Sequence, residues 1–266
     1  MISDENVLII EDLSNGAERF AIPVVCTIPK MSKSIFRSFK YAPRIIDVSG
    51  HLKNRIEAST FSCQCIGSCD KNCQCASGIY TRAGTVNDMD QLMCEIVQEC
   101  NDYCECALWC GNRVAQKGAN VGIEIFARDL ECGWGVKTTK SIQKGVYIGE
   151  YTGELIDDDE ATMRTDTTFL FETRIGEQTY TIDAKYCGNY TRFINHSCDP
   201  NVKVANVSWD QSEDQLIHMC FYTDRKIEQG EEITIDYGDS WWAAKKFSCL
   251  CGSAKCKYQI PIQYRF

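Results

Sequence analysis

The sequence predicts a mainly β fold with short helices, with cysteine-rich segments on both sides of its β-rich part. Three observations lead there. From Asn112 onward, short runs of β-branched and aromatic residues recur between glycine-containing turns. Nine cysteines in two tight groups precede them, and three more close the chain. Many short strands with Gly turns argue for a folded-over β architecture, not a doubly wound sheet.

The bulk numbers bound the reading. At 266 residues the chain suffices for one large domain or two modest ones with a sizeable core. Hydrophobic residues at 44% and charged ones at 24% are ordinary for a globular protein. No apolar run approaches the ~20 residues that span a bilayer. Residues Met1 to Asn6 lack the basic and apolar regions of a signal peptide. A nuclear or cytosolic chain without membrane contact is expected. The net charge of −9 argues against direct nucleic-acid binding and suits a basic partner. In such a compartment, eighteen cysteines read as reduced, metal-spaced thiols and not as a disulfide framework.

Taken in order, residues 1 to about 60 alternate modestly around Val7 to Ile10 and Phe20 to Val25. Asn15-Gly16 between them marks the turn of a hairpin or a pair of edge strands. The next block reads C-x-C-x3-C-x3-C-x-C (Cys63, Cys65, Cys69, Cys73, Cys75) and then C-x3-C-x-C-x3-C (Cys100, Cys104, Cys106, Cys110). Nine thiols exceed two tetrahedral sites and fall short of three. Six terminal and three doubly shared sulfurs would serve three zinc ions. Between the groups, Leu92, Met93, Ile96 and Val97 have helical spacing and are expected to cover the cluster.

Candidate strands follow at Gly122 to Ala127, Trp134 to Thr138, Val146 to Tyr151, Phe169 to Arg174, Gln178 to Ile182, Val202 to Ser208, Leu216 to Thr223 and Glu232 to Ile235. Helices are expected at Asp157 to Arg164, acidic in its first turn, and at Tyr186 to Ile194. The chain closes with Cys249, Cys251 and Cys256, a C-x-C-x4-C that lacks a fourth ligand; Cys198 is the candidate. Cys26, Cys94, Cys132, Cys187 and Cys220 remain, and are read as buried spare thiols.

Two segments carry a resemblance. Arg192-Phe193-Ile194-Asn195-His196-Ser197-Cys198-Asp199-Pro200-Asn201, with Ile235-Asp236-Tyr237-Gly238, resembles the paired signature of the SET-domain lysine methyltransferases. The cysteine blocks resemble that family's pre-SET and post-SET modules. The resemblance implies small curved sheets around a pseudoknot, with a three-zinc pre-SET cluster and one post-SET zinc. It implies a pre-SET flank at residues 1–60, the pre-SET cluster at 61–117, a SET catalytic domain at 118–240 and a post-SET tail at 241–266. The whole order is similar to histone H3 lysine-9 methyltransferases of the Suppressor-of-variegation 3-9 and euchromatic types. S-adenosylmethionine as donor, the histone H3 tail as partner and a place in nuclear chromatin, with chromatin-associated proteins as further partners, follow as expectations. An inactive SET module serving as a chromatin scaffold, or an enzyme for a non-histone substrate, stays open.

Methyl transfer to an amine needs a neutral amine, whereas free lysine titrates near 10.4. An apolar, aromatic channel beside a cationic sulfonium lowers that value, and positioning supplies much of the rate. Within the resemblance, Tyr237 matches the catalytic tyrosine and Tyr151 the second pocket tyrosine. Cys132, Gly133 and Trp134 match the GWG turn that cradles the donor. Phe169, Arg192, Asn195 and His196 join them, and Trp242 matches the aromatic that closes over the adenosine. Phe169 stands where relatives commonly have Tyr, which costs a hydroxyl. Ile235 stands where Phe or Tyr commonly limits methyl number, so di- or trimethylation is expected, unless Phe221 or Tyr222 refills the space. Phe171, Asp158 and Glu172 complete the substrate pocket, and Asp157, Asp159 and Asp166 are candidates for an acidic groove.

Overall fold

A computed structural model describes residues 7–53, 62–70, 72–76, 78–209 and 214–259. The expected boundary between residues 60 and 61 and the end of the tail lie outside them. Two four-stranded sheets form the frame. One orders Val7–Ile10, Val24–Cys26, Ile123–Asp129 and Gly133–Thr138; the other orders Val97–Gln98, Val202–Ser208, His218–Thr223 and Tyr147–Glu150. A third sheet places Gln178–Asp183 between Glu154–Ile156 and Leu170–Ile175. Alternation explains the first frame: Ile123, Ile125 and Ala127 point into the core, while Glu124, Phe126 and Arg128 point outward. One main core joins the sheets, with Ile148, Leu155, Val207, Phe221 and Ile233 wholly covered. Among the described residues, no helix is long and apolar enough to cross a membrane.

The amino-terminal flank is built as its turn signal predicts. Val7–Ile10 pairs antiparallel with Val24–Cys26, and Asn15 and Gly16 both adopt positive φ between them. The Asp12 carboxylate organises that loop by accepting the backbone N–H groups of Ser14, Gly16 and Ile22. The flank also reaches the expected donor motif. Trp134 Nε1 donates to the Ser32 carbonyl at 3.2 Å, and Phe36 packs its ring edge-on against the indole at 4.7 Å.

Helix Asp158–Thr162 begins where expected, because the Asp157 carboxylate accepts the Glu160 N–H at 2.8 Å. The helix expected over Tyr186 to Ile194 does not form. Cys187–Gly188 instead forms a parallel pair with Lys40–Tyr41, and only Tyr190–Phe193 turns, as a 3-10 helix capped by Asn189. Gly188 lies so close to the Thr152 carbonyl that a Cβ would approach it to 2.6 Å, which holds the segment extended. The helix before Cys100 is shorter than its spacing suggested. It runs Met89–Cys94, buries Met89 and Leu92 in the main core, and leaves Met93 and Ile96 exposed. Val97 pairs with Val207 in a strand, so these residues do not cover the cysteine cluster. Cys94 is exposed and Cys132 and Cys187 are half-buried, contrary to their reading as buried thiols, while Cys26 and Cys220 are buried.

The site is positioned by the shortest pairing. Asn195–His196 lies parallel to Thr234–Ile235, with Asn195 opposite Thr234 and His196 opposite Ile235. Asn201 pins the crossing: its Nδ2 donates to the Glu232 carbonyl at 2.8 Å, and its Oδ1 accepts the Thr234 N–H at 2.9 Å.

Gly145 tests the frame. It has φ +79°, and a Cβ there would stand 2.5 Å from the Val86 carbonyl oxygen. Substitution Gly145→Ala is expected to cost about 2–4 kcal/mol, from the strained backbone and the displaced neighbour. In a chain of this size that lowers the melting temperature by roughly 5–15 °C. A thermal melt within a degree of the wild type would contradict the packing described.

Candidate active site and metal centres

The cysteines gather as their spacing implied. Cys63 and Cys69 sulfurs stand 3.4 Å apart, Cys69 and Cys100 3.5 Å, and Cys75 and Cys104 3.7 Å. These separations are far beyond a disulfide bond of about 2.05 Å. They approach the roughly 3.8 Å edge of a tetrahedron whose metal–sulfur bonds are about 2.3 Å. Cys63, Cys69 and Cys100 recur in overlapping groups, which makes them the shared sulfurs. Cys65 and Cys73 complete one site with Cys63 and Cys69, and Cys75 and Cys104 a second with Cys63 and Cys100. Cys106 sits with Cys69 and Cys100, and the Cys110 sulfur accepts the Cys69 N–H at 3.2 Å. With Cys110 closing the third site beside Cys69, Cys100 and Cys106, the nine would supply six terminal and three shared ligands, the count the sequence required. Asn112 Nδ2 donates to Cys100 at 3.4 Å, and the Arg113 guanidinium faces Cys106 at 3.7 Å. Both favour the thiolates that zinc needs.

The fourth centre joins distant segments. Cys198, Cys249, Cys251 and Cys256 form one group, with Cys198 and Cys256 at 3.9 Å. The Cys198 sulfur also accepts the Lys257 N–H at 3.2 Å. These four thiols fit one tetrahedral zinc, which would fasten the tail to the His196 segment.

Between the knot, the third sheet and the tail lies a cavity of about 490 Å³. Tyr151, Phe169, Phe171, Glu172, Arg192, Ile235 and Tyr237 line it, as do Ile194, Trp241 and Lys245. Tyr237 donates its hydroxyl to the Ile194 carbonyl at 2.8 Å, and Tyr151 donates to the Phe169 carbonyl at 2.8 Å. Burial pushes both phenols well above their ordinary range, so both are neutral donors whose lone pairs remain as acceptors. Phe169 packs where its missing hydroxyl was in question: the Arg192 guanidinium lies 4.0 Å over its ring. Arg192 donates Nε to the Ala184 carbonyl at 2.6 Å, and burial lowers its pKa to about 10.

His196 links cavity and metal. Its Nδ1 accepts the Tyr237 N–H at 3.1 Å, which leaves Nε2 to carry the proton and donate to the Cys198 sulfur at 3.2 Å. Burial lowers its pKa to about 4, in keeping with a neutral ring. Asn195 Nδ2 donates to the Trp134 carbonyl at 3.1 Å and to Glu232 Oε1 at 2.8 Å, tying the Gly133–Thr138 strand to the knot. Gly135 permits this approach, since a Cβ would meet Glu232, Phe126 and Asn195 within 3.0 Å. Gly133 has φ +81° with open space beside it, and Cys132 donates its N–H to Asp129.

Some expected residues fall elsewhere. Phe221 is fully buried behind Tyr151, at 6.4 Å between ring centroids, and does not line the cavity. Tyr222 bonds Tyr80 through its hydroxyl at 2.6 Å. Neither refills the space beside Ile235. Asp158 is exposed on its helix and away from the cavity wall, Asp157 is the helix cap, and Asp166 pairs with Lys185 at 3.3 Å. Of these acids only Glu172 reaches the rim. Trp242 stacks on Tyr258 at 4.9 Å and stands edge-on to His196, with Nε1 buried and unpartnered among the described residues. It is Trp241, its neighbour, that walls the cavity, 4.8 Å from the Tyr237 ring. Sequence reasoning missed Trp241, Glu232 and Lys245; the i, i+4 spacing of Trp241 and Lys245 was the available signal.

Open space at the Gly133 turn, the Trp242 Nε1 donor without a partner among the described residues, and the cationic Arg192 offer room, a hydrogen-bond donor and a positive charge to a bound molecule. The pre-SET motif family matches residues 14–113, and the SET domain family matches 133–238. Human histone-lysine N-methyltransferase EHMT1 is 33% identical over 94% of this chain and 20% of its own length. The Arabidopsis thaliana histone-lysine N-methyltransferase, H3 lysine-9 specific SUVH5, is 37% identical over 75% of this chain and 26% of its own. The chain thus spans about a fifth to a quarter of these relatives. Arabidopsis thaliana SUVH6 in complex with SAM superposes with TM-score 0.79 at 30% identity, over 94% of this chain and 55% of that one. KRYPTONITE in complex with mCHH DNA, H3(1-15) peptide and SAH does so with TM-score 0.79 at 28% identity, over 94% and 53%.

Metal content tests the assignment. The purified protein is expected to carry four zinc ions per chain by elemental mass spectrometry, and Cys198→Ser three. Three in the wild type, or four in the variant, would contradict the grouping.

Proposed function

Because the chain belongs to the family of SET-domain proteins that carry a pre-SET motif, we propose that it transfers methyl groups from S-adenosylmethionine to lysine 9 of histone H3, in nuclear chromatin. The observation that carries this reading is the cavity in which Tyr237, Tyr151, Ile235 and Arg192 meet beside a knot held by His196. The relatives' names and the H3 peptide held by KRYPTONITE support the substrate.

When bound, S-adenosylmethionine supplies an electrophilic methyl on a cationic sulfonium. Gly133, Trp134, Arg192, Asn195, His196 and Trp242 are the residues proposed to hold it, and Phe169 to pack beside it. The aromatic walls exclude water, and that disfavours the ammonium form of an entering lysine. Tyr237 and Tyr151 have committed their hydroxyl protons to the Ile194 and Phe169 carbonyls. Their lone pairs therefore accept the N–H groups of a neutral amine and aim its own lone pair along the channel. Neither phenol is a base at working pH, so their contribution is orientation. Glu172 at the rim offers a carboxylate to a basic tail.

Ile235 sets how many methyls fit. It is buried in the cavity wall and brings no hydroxyl, and Phe221 stands too far back to replace one. Mass spectrometry of an H3 tail peptide with S-adenosylmethionine is expected to show stepwise addition up to two or three methyls on lysine 9. Tyr237→Phe, which removes the orienting hydroxyl, should lower the rate about 10²-fold. Ile235→Tyr should stall the product at one methyl with activity retained. Addition at another lysine, or none from zinc-replete protein, would contradict the reading and favour a different substrate or a non-catalytic scaffold.

A further inference from the structure

Lys245 stands on the wall of the same cavity, although no feature of the proposed mechanism requires a lysine there. The side chain is 9% exposed. Its ammonium lies 4.4 Å over the face of Trp241 and donates to Thr167 Oγ1 at 3.3 Å. Trp241 in turn packs edge-on against Tyr237 at 4.8 Å. Two ring-to-neighbour steps therefore separate this cation from the catalytic tyrosine.

The charges facing the cavity are unbalanced. Arg192 is buried in its wall, with Nε committed to a carbonyl and the guanidinium stacked on Phe169. Glu172 is exposed at the rim, where solvent screens it. Asp166 acts on Lys245 through space but is ion-paired with Lys185 at 3.3 Å. Tyr151 and Tyr237 stay neutral. Asp183 is buried and acts through space on Arg192 and Tyr151 but is paired with Arg164 at 3.1 Å, and Glu232, which acts on Tyr237, is paired with Arg128 at 3.5 Å. Among the described residues the lining itself thus carries two cations and no buried anion.

We propose that Lys245 is an electrostatic positioning residue that holds an entering substrate lysine in its neutral form. This rests on the methyl-transfer reading above. A fixed cation disfavours a second one nearby, so it lowers the pKa of the bound amine and enlarges the reactive fraction at neutral pH. Burial lowers the Lys245 pKa from the ordinary lysine value, while Asp166, the Trp241 face and Thr167 favour its charged form. It acts through the substrate and touches no reacting atom, so its removal changes when the amine reacts and leaves the channel's shape in place.

Single-turnover methylation of an H3 peptide of residues 1–15, followed across pH, isolates this effect, because rates from the bound complex report the pKa of the bound amine. Lys245→Met keeps the length and removes the charge; Lys245→Arg keeps the charge. With Lys245→Met the rising acid limb should move to higher pH by about 0.5–1 unit. The rate at pH 7 then falls about three- to tenfold and recovers toward the wild type above pH 9. Lys245→Arg should restore the wild-type limb. Unchanged zinc content and melting temperature would establish that the Met variant is folded. A rate lowered by one factor at every pH, or a profile that does not move, would overturn the proposal while leaving methyl transfer standing. No methylation by the wild type would overturn both.

Discussion

The site depends on an imidazole that has to remain neutral. His196 accepts the Tyr237 N–H on one nitrogen and offers the other to the Cys198 sulfur. A second proton would take away the acceptor that fixes Tyr237. Burial supplies the protection, and Tyr237, Trp242 and Tyr258 surround the ring at 5.0 to 5.7 Å. The same residue sits opposite Ile235 in the parallel pairing. One ring therefore sets Tyr237, Ile235 and Cys198 in a common frame.

That arrangement makes the tail part of the site. Cys198 comes from the knot and Cys249, Cys251 and Cys256 from the tail, so a metal held by all four closes the loop between them. The helix Asp239–Ala243 lies between these ligands and carries Trp241 to the cavity and Trp242 to the His196 side. A metal held there would couple the placement of the tail to completion of the cavity. The nine-cysteine cluster is separate: it forms its own small core, while Glu99 beside it binds the Ala115 N–H and the Tyr80 hydroxyl in the main body.

Much of this was legible because its residues are rare and their order carries information. The cysteine spacings specify ligand number before the fold is known, and the strand expected at Val202 to Ser208 forms with those bounds. Tyr186 to Ile194 misled because a local helical pattern does not register that Gly188 must press against Thr152. The two-residue strands at the knot are too short to have a period. Asp158 and Glu172 look alike in sequence, yet one faces solvent on a helix and the other the cavity rim; only the fold of the third sheet separates them. Trp241 and Trp242 are adjacent tryptophans, and which one enters the cavity depends on the rotation of a five-residue helix.

In the proposed reaction, donor and substrate amine meet in the cavity between Tyr237, Tyr151 and Ile235. A crystal structure of the zinc-replete protein with S-adenosylhomocysteine and an H3 peptide tests it most directly. The lysine Nζ is expected between the two phenol oxygens, with the donor sulfur behind it toward Asn195 and His196. A peptide lysine lodged outside this cavity, or a donor bound away from the Gly133 turn, would contradict it.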